Sequence, residues 1–489
     1  MQTHDRLFIG GTWVPPSSTA TIEVVSPHTE EVIARVPDGR EADFDHAVAA
    51  AREAFDRGPW PRVTPHQRAD LMTALLGQLQ ARAEDLAVTI TREMGSPISF
   101  SHMGQVMAAN MVLDYYIRLA REYRFEDVRP GLLGPCIVRR EPVGVAACII
   151  PWNVPLFVIM LKLGPALAAG ATVVIKPAPE TPLDAVMLAE AVEQSGIPAG
   201  VVNVVVAGRE VGEHLVRHPG VDKVAFTGST AAGRRIAAIC GEQLKRVTLE
   251  LGGKSAAIIL DDADAPATIA GLMPGALMNN GQACAAQTRI LVSRRRYREI
   301  AAALVEAVEA WTVGDPMDPS TLCGPLVAAR QRDRVEGYIA AGKQEGAKVA
   351  CGGGRPKGFA KGWYVEPTVF VDVDNRMRIA QEEIFGPVLA VIPYDDERDA
   401  LRIANDSEYG LSGSVWTADV DHGLDVARRV RTGTYTVNGF AMEFGAPFGG
   451  FKCSGIGREL GPEGLEAYLE PKQINLPMGY EVPSRPTTP

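Results

Sequence analysis

VGVAACIIPWN, residues 143–153, decides the architecture of the chain. An apolar, partly β-branched run carries no charge and stops at Pro151, Trp152 and Asn153. Such a run, bounded by turn-forming residues, predicts a strand buried on both faces. The pattern returns at ATVVIKP (171–177), VVNVVV (201–206) and VDKVAFTG (221–228), with segments rich in Ala, Leu and Glu between them. Buried strands alternating with helices describe a parallel sheet of βαβ units. A second series follows at AAIIL (256–260), RILVS (289–293), VLAVIPY (388–394), SGSVWT (412–417) and GTYTVN (433–438). The prediction is an α/β fold with two α/β domains in series.

Outward from this centre, residues 41–56 and 66–92 carry apolar side chains at helical spacing. Residues 124–141 and the tail 470–489 are extended and punctuated by proline. They are expected to pair as an edge hairpin that joins subunits, the plain alternative being a surface loop and a frayed end.

Composition narrows the function classes. The 489 residues are 46% apolar and 22% charged, ordinary values for a folded chain. A net charge of −10 argues against a nucleic-acid partner or an anionic membrane surface. A local anion site remains open, since backbone N–H groups bind phosphate without net positive charge. The seven cysteines are scattered without a C-x-x-C pair, and no H-E-x-x-H occurs. That pattern predicts reduced thiols in a cytoplasm, and neither a disulfide framework nor a metal site. The start, MQTHDRLFIGG, lacks the charged-then-apolar form of a secretory signal. The most apolar stretch, 143–155, is too short and too broken by Pro151 and Asn153 to span a bilayer.

Six segments carry candidate chemistry. In VAFTGSTAAG (224–233) a strand ends at Gly228, and Ser229 and Thr230 open a helix, aiming free N–H groups at an anion. As a bare pattern this is weak. In VTLELGGKS (247–255) Glu250 sits in an apolar strand just before a glycine pair. Burial raises a carboxyl pKa, which suits a general base near neutral pH, and a salt-bridged strand residue is the plain alternative. In NNGQACAAQTR (279–289) Cys284 lies between two alanines after a loop or helix start, where N–H groups lower a thiol pKa. Taken alone, one cysteine is more often a small buried hydrophobe. Asn153 in PWNVP (151–155) is placed to donate to an oxyanion, or simply to make a turn. Glu383 in EEIFGPV (382–388) is a loop carboxylate able to accept ribose hydroxyls, and PFGGFKCSGIGRELG (447–461) is glycine-rich enough to close over a ligand.

Together these segments resemble the aldehyde dehydrogenase superfamily, nearly end to end. FIGGTWV (8–14), GPW (58–60), TREMG (91–95), PWN, IKPAPETP (175–182), FTGST, LELGGKS, GQAC, EEIFGPV and FGGFKCSGIGRELG stand in matching order and spacing. The resemblance implies oxidation of an aldehyde to a carboxylic acid through a thioester. It implies Cys284 as nucleophile, Glu250 as base for the hydrolytic water, and Asn153 with the Cys284 N–H as oxyanion hole. Lys162 and Glu459 match a proton-relay pair. The implied cofactor residues are Ile150, Pro151, Trp152, Lys176, Glu180, Gly208, Phe226, Gly228, Ser229, Leu251, Glu383 and Phe385. Val154, Phe157, Leu161, Ala283, Phe444 and Phe448 match a substrate tunnel whose apolar character favours an apolar aldehyde. Glu470 matches an acid that, in relatives, bridges Arg246 and Arg458 across or near the subunit interface. The implied domains are 1–123 with 142–251 for the cofactor, 252–453 for catalysis, and a small oligomerisation arm of 124–141 with 470–489, in a homodimer or homotetramer.

The sequence departs from the family pattern at Pro179. Relatives commonly place there an acid that bonds ribose and repels a 2′-phosphate, whereas here the acid is Glu180. Strict NAD preference is therefore in doubt; NAD stays the favoured cofactor, with NADP admitted beside it. The alternatives are a CoA-acylating semialdehyde dehydrogenase, whose members usually lack the base glutamate, and a catalytically silent structural homologue. Presence of both Glu250 and Cys284 weighs against each.

Overall fold

The computed structural model describes residues 2–481. Its first sheet has eight strands in the order Gly455–Ile456, Arg246–Glu250, Lys223–Thr227, Val145–Ile149, Thr172–Lys176, Val202–Val204, Leu7–Ile9 and Thr12–Val14. The middle five are parallel, and the strands flanking them are antiparallel. Counted along the chain from Val145–Ile149, those five lie in the spatial order 3-2-1-4-5, so the winding reverses between Val145–Ile149 and Lys223–Thr227. A crevice opens at the carboxyl ends of the strands at such a reversal, and ligands of open α/β sheets bind there. Asn153 and Ser229 follow those two strands directly.

The second sheet has seven strands in the order Lys348–Cys351, Thr368–Val371, Val388–Tyr394, Arg289–Ser293, Ala256–Ile259, Gly413–Trp416 and Thr436–Val437. All pair in parallel except Lys348–Cys351 at one edge. Every apolar run singled out in the sequence forms a strand in one sheet or the other. After Cys453 the chain returns to the first sheet, where Gly455 lies opposite Glu250.

The helix Pro155–Ala169 explains why the first sheet is buried on its inner face. All of its residues are buried, so it is apolar all round, as an interior helix must be. Pro155 starts it at a position where no backbone donor is lost, and Gly170 ends it in the left-handed region (φ 92). Lys162 is its only charged residue and is fully buried. The helical pattern predicted over 66–92 is two helices, Pro65–Gln80 and Ala83–Met94, and Thr64 caps the first.

The predicted hairpin is a three-stranded antiparallel sheet. Glu126–Arg129 pairs with Cys136–Pro142, which pairs with Leu469–Asn475 from Leu469 opposite Pro142 to Asn475 opposite Cys136. Residues 482–489 of the expected arm lie outside the described residues. Among the described residues no helix is long and apolar enough to cross a membrane.

Candidate active site

Cys284 is delivered by a loop, not a helix start. The helix Ala265–Leu277 begins with the Asp264 carboxylate accepting the Ala267 N–H at 2.9 Å. Beyond its end the chain passes through three successive left-handed residues, Asn279 (φ 53), Asn280 (φ 61) and Gly281 (φ 70). For the two asparagines this costs on the order of 1 kcal/mol each. Their side chains offset it. Asn280 Nδ2 donates to the carbonyls of Gly95 (2.8 Å) and Pro325 (2.9 Å), and its Oδ1 accepts the Gly324 N–H at 2.6 Å. Asn279 Nδ2 donates to the Asn153 carbonyl at 2.8 Å, and Asn153 Nδ2 donates to the Gln282 carbonyl at 2.9 Å. The amide of Asn153 is thereby fixed beside the cysteine loop with one N–H still to give.

The thiol itself departs from expectation. Burial pushes Cys284 up to about 12, and the carboxylates of Glu383 and Glu250 add to the rise. Backbone N–H groups of Ala285 and Cys284 pull the other way but do not win, because no helix terminus aligns a full set of donors. The glycine pair after Glu250 lets the strand and the loop touch. A Cβ on Gly253 would lie 2.3 Å from the Cys284 carbonyl oxygen.

Glu250 ends the strand Arg246–Glu250, between Thr227 on one side and Gly455 on the other. Both of its carboxyl oxygens are buried and accept no hydrogen bond. Burial, then the neighbouring Glu459, hold its pKa well above the usual carboxylate range, against the opposing pull of Lys162 and Arg458. A Cβ on Gly449 (φ 153) would lie 2.7 Å from Glu250 Oε1, so glycine keeps that face of the carboxyl open. Lys162 Nζ donates to Glu459 Oε1 at 2.5 Å and to Thr227 Oγ1 at 2.7 Å. Glu459 is held by a two-way backbone bridge with Phe448 (2.7 and 2.8 Å), and its Oε2 is buried without a partner.

Most of the residues read as a cofactor site sit at or just beyond the carboxyl ends of the first sheet's parallel strands. The Ile150 N–H donates to the Lys176 carbonyl at 3.0 Å. Pro151 and Trp152 follow on the exit loop, and the Trp152 carbonyl accepts from Thr181 Oγ1 at 3.3 Å. Lys176 Nζ donates to Ala207 O at 2.9 Å; burial brings the ammonium down to about 8, with Glu180 opposing that shift. The Gly208 N–H is held by Asp38 Oδ1 at 2.9 Å. Ser229 caps the helix Thr230–Glu242 through the Ala232 N–H (3.3 Å). Gly228 lies close over the Phe226 ring, where a Cβ would come within 2.5 Å. Leu251 packs on Gly233 of the same helix, where a Cβ would lie 2.5 Å away. Glu383 Oε1 accepts the Gly253 N–H at 2.9 Å, and burial raises that carboxyl to about 7. Phe385 (φ 64) presents its ring edge-to-face with Trp152, centroids 5.2 Å apart.

Among the tunnel candidates, Phe157, Leu161 and Phe448 are buried in one cluster, against which Val154, Phe444 and Cys284 pack. The Phe157 and Phe444 rings stand 6.3 Å apart. Ala283 is half-buried beside the cysteine. Within one chain Glu470 pairs with Arg246, not with Arg458. Arg458 instead donates to the carbonyls of Gly457 (2.6 Å) and Gly450 (3.3 Å) and faces Glu250. It is drawn there because the strand Gly455–Ile456 folds back against Glu250.

Sequence reading missed the amide lock of Asn279, Asn280 and Gln282. The available signal was Asn-Asn-Gly itself, since these residues tolerate the left-handed region. It also missed Arg330, whose guanidinium reaches Glu180 from the other sheet's layer, and no local pattern announces a contact 150 residues long.

Comparison with known proteins follows the same lines. The profile of the aldehyde dehydrogenase family matches residues 13–474. A geranial dehydrogenase of Castellaniella defragrans is 48% identical over 97% of this chain and 99% of its own. An aldehyde dehydrogenase of Mycobacterium tuberculosis, solved with NAD+, superposes with a TM-score of 0.97 at 51% identity over 98% and 100% of the two chains. Aldehyde dehydrogenase C of Pseudomonas syringae, solved as a mutant with NAD+ and octanal, gives 0.93 at 44% over 96% of each. The chain belongs to the aldehyde dehydrogenase family, whose enzymes are oxidoreductases.

Proposed function

We propose that this chain oxidises an apolar aldehyde to a carboxylic acid, with Cys284 as nucleophile, Glu250 as hydrolytic base and NAD as the favoured acceptor. The observation that carries the reading is Glu250: a buried carboxyl with both oxygens unpartnered, close enough to Cys284 to raise its thiol. A carboxyl left unsatisfied in a dry site costs stability, and a water to be deprotonated is the partner it lacks. A CoA-acylating enzyme has no use for it. The apolar substrate is supported by the Phe157, Leu161, Phe444 and Phe448 surroundings and by relatives that act on geranial or bind octanal.

The residues present fit a nicotinamide dinucleotide. Glu180 Oε2 is buried and unpartnered beside Lys176, where a ribose hydroxyl would donate. Ser229 and the free N–H groups of its helix suit a pyrophosphate, and Glu383 suits the second ribose. When bound, the dinucleotide supplies the hydride acceptor that converts a thiohemiacetal into a thioester. The protein does the rest. Cys284 reacts as the thiolate, its proton passing to solvent, and its sulfur adds to the aldehyde carbon. Asn153 Nδ2 and the Cys284 N–H hold the oxyanion. After the thioester forms, Glu250 takes a proton from water, whose oxygen adds to the acyl carbon and expels the thiolate. Lys162 and Glu459 lie behind Glu250 to take that proton onward.

In this reading, residues 1–123 and 142–251 hold the cofactor and 252–453 carry the thiol. Residues 124–141 and 470–489 join copies into a homodimer or homotetramer. The test is a panel of aliphatic, terpenoid and charged aldehydes with NAD+, run on the parent enzyme and on Cys284→Ala. Oxidation of the apolar members, abolished by the substitution while NAD+ still binds, is the expected result. Turnover surviving in Cys284→Ala, or confined to charged aldehydes, would overturn it.

A further inference from the structure

We propose that Gln105 is a positioning residue for the reaction: from the π-helical turn Ser101–Met107 it clamps the peptide of Asn153 and so fixes the side-chain amide that receives the oxyanion. The inference rests on the reading of Asn153 as oxyanion donor. Asn153 lies between the strand Val145–Ile149 and the helix Pro155–Ala169, so neither a sheet ladder nor a helix holds its carbonyl. Two side-chain amides do. Asn279 Nδ2 donates to it at 2.8 Å and Gln105 Nε2 at 3.3 Å. A single donor leaves a carbonyl free to pivot, whereas two donors from different elements fill both lone pairs and fix the peptide plane. A pivot of that plane would swing Asn153 Nδ2 across the site, since the side chain's other anchor is its bond to the Gln282 carbonyl. The orientation of each clamping amide is determined. Ser96 Oγ donates to Asn279 Oδ1 at 2.8 Å, and reversing the Gln105 amide would set two oxygens against each other.

Packing alone does not account for Gln105. Its side chain is fully buried, and its Oε1 is buried without a partner. A methionine or leucine would fill the space without that orphan acceptor, which costs stability. The Asn153 carbonyl does not need Gln105 to be satisfied either, because Asn279 already donates to it. What the second amide adds is restraint. Its mounting is rigid: the turn packs against the helices Ala83–Met94 and Pro155–Ala169, and Thr91 Oγ1 donates to Ser101 Oγ at 2.8 Å. The turn is the one π-helical segment among the described residues, and such widened turns often mark functional sites. Its inward face is Ser101, Gln105 and Val106, while Met103 and Met107 are exposed. Gln105 is therefore the one inward side chain of the turn that reaches the Asn153 peptide, and it does so with its donor end.

The experiment is a double-mutant cycle of Gln105→Met with Asn153→Ala in the purified enzyme. It reads the burst rate of cofactor reduction, the aldehyde KM, NAD+ affinity and thermal unfolding. Gln105→Leu, smaller and equally unable to donate, is a second probe in case methionine overpacks. Asn153→Ala should slow the burst by about 10²–10³-fold, the usual cost of an oxyanion donor. Gln105→Met should slow it about tenfold, a part of that loss, with aldehyde KM and NAD+ affinity within about twofold of the parent. In the Asn153→Ala background the same substitution should change nothing further, because it acts through that amide. A spectroscopic reading accompanies the rates. In Glu250→Gln, where the thioester accumulates, Gln105→Met should move the acyl carbonyl stretch to higher wavenumber, in the direction of Asn153→Ala, as the hydrogen bond to it weakens. A burst rate within about twofold of the parent, or an equal loss with and without Asn153, overturns the clamp. If Asn153→Ala leaves the burst unchanged, the oxyanion reading itself fails and the proposal falls with it.

Discussion

Glu250→Gln separates the base from everything else in the site. The substitution keeps the shape of the side chain and removes its capacity to accept a proton. Thioester formation should persist, so mixing with aldehyde and NAD+ should give a burst approaching one reduced cofactor per subunit. Steady-state turnover should then fall by about 10²–10⁴-fold, the usual contribution of a positioned base. Stability gives an independent reading. Because burial raises Glu250 well above 4.5, the folded state holds a proton that the unfolded chain releases between the two values. Its stability is complete below the unfolded pKa and is lost as pH rises toward the folded one. Glutamine has no such loss. The variant should therefore gain on the parent by up to about 1.4 kcal/mol per pH unit above 4.5, levelling off beyond the folded pKa. Denaturant titrations from pH 5 to 9 with stopped-flow bursts would measure both effects. A stability difference flat with pH, together with near-normal turnover, refutes the assignment of Glu250 as a buried base.

Lys162→Met should leave Glu459 buried beside Glu250 without the ammonium it pairs with. A loss of about 3–5 kcal/mol in denaturant unfolding at pH 8 is expected, and a change below about 1 kcal/mol would mean that solvent reaches the pair. Gly253→Ala places a methyl 2.3 Å from the Cys284 carbonyl oxygen, so the loop must shift. Acylation should slow by at least about 100-fold, the usual cost of a displacement near 1 Å, while NAD+ binding changes far less; an unaltered burst rate would show that the contact yields.

The strands were legible because parallel strands buried on both faces leave uninterrupted apolar runs, such as Val145–Ile149 and Val388–Tyr394. Cys284, Glu250 and Asn153 were legible as candidates because each breaks a local expectation: a carboxyl in an apolar strand, an amide between prolines, a thiol between alanines. Their mutual placement was not legible. It depends on Asn279 and Asn280 in the left-handed region and on glycines whose missing Cβ admits a neighbouring carbonyl. The thiol's environment was misread for the same reason. Gln282 resembles a helix start in sequence, but the backbone around it is spent on side-chain amides. Arg458 and Arg330 depend on long-range returns of the chain that no window of sequence contains.

The return of the chain to the first sheet also sets an order of assembly. The strand that flanks Glu250 is Gly455–Ile456, and the strand that closes the outer hairpin, Leu469–Asn475, pairs with residues more than 300 positions earlier. Contacts so distant in sequence form late and slow folding. During synthesis from the N-terminus, the layers around Val145–Ile149 and Arg289–Ser293 can condense while Glu459 is still unmade. The nascent protein therefore makes Glu250 and its thiol well before Glu459, and only the last few dozen residues complete the carboxyl pair behind the hydrolytic half of the site.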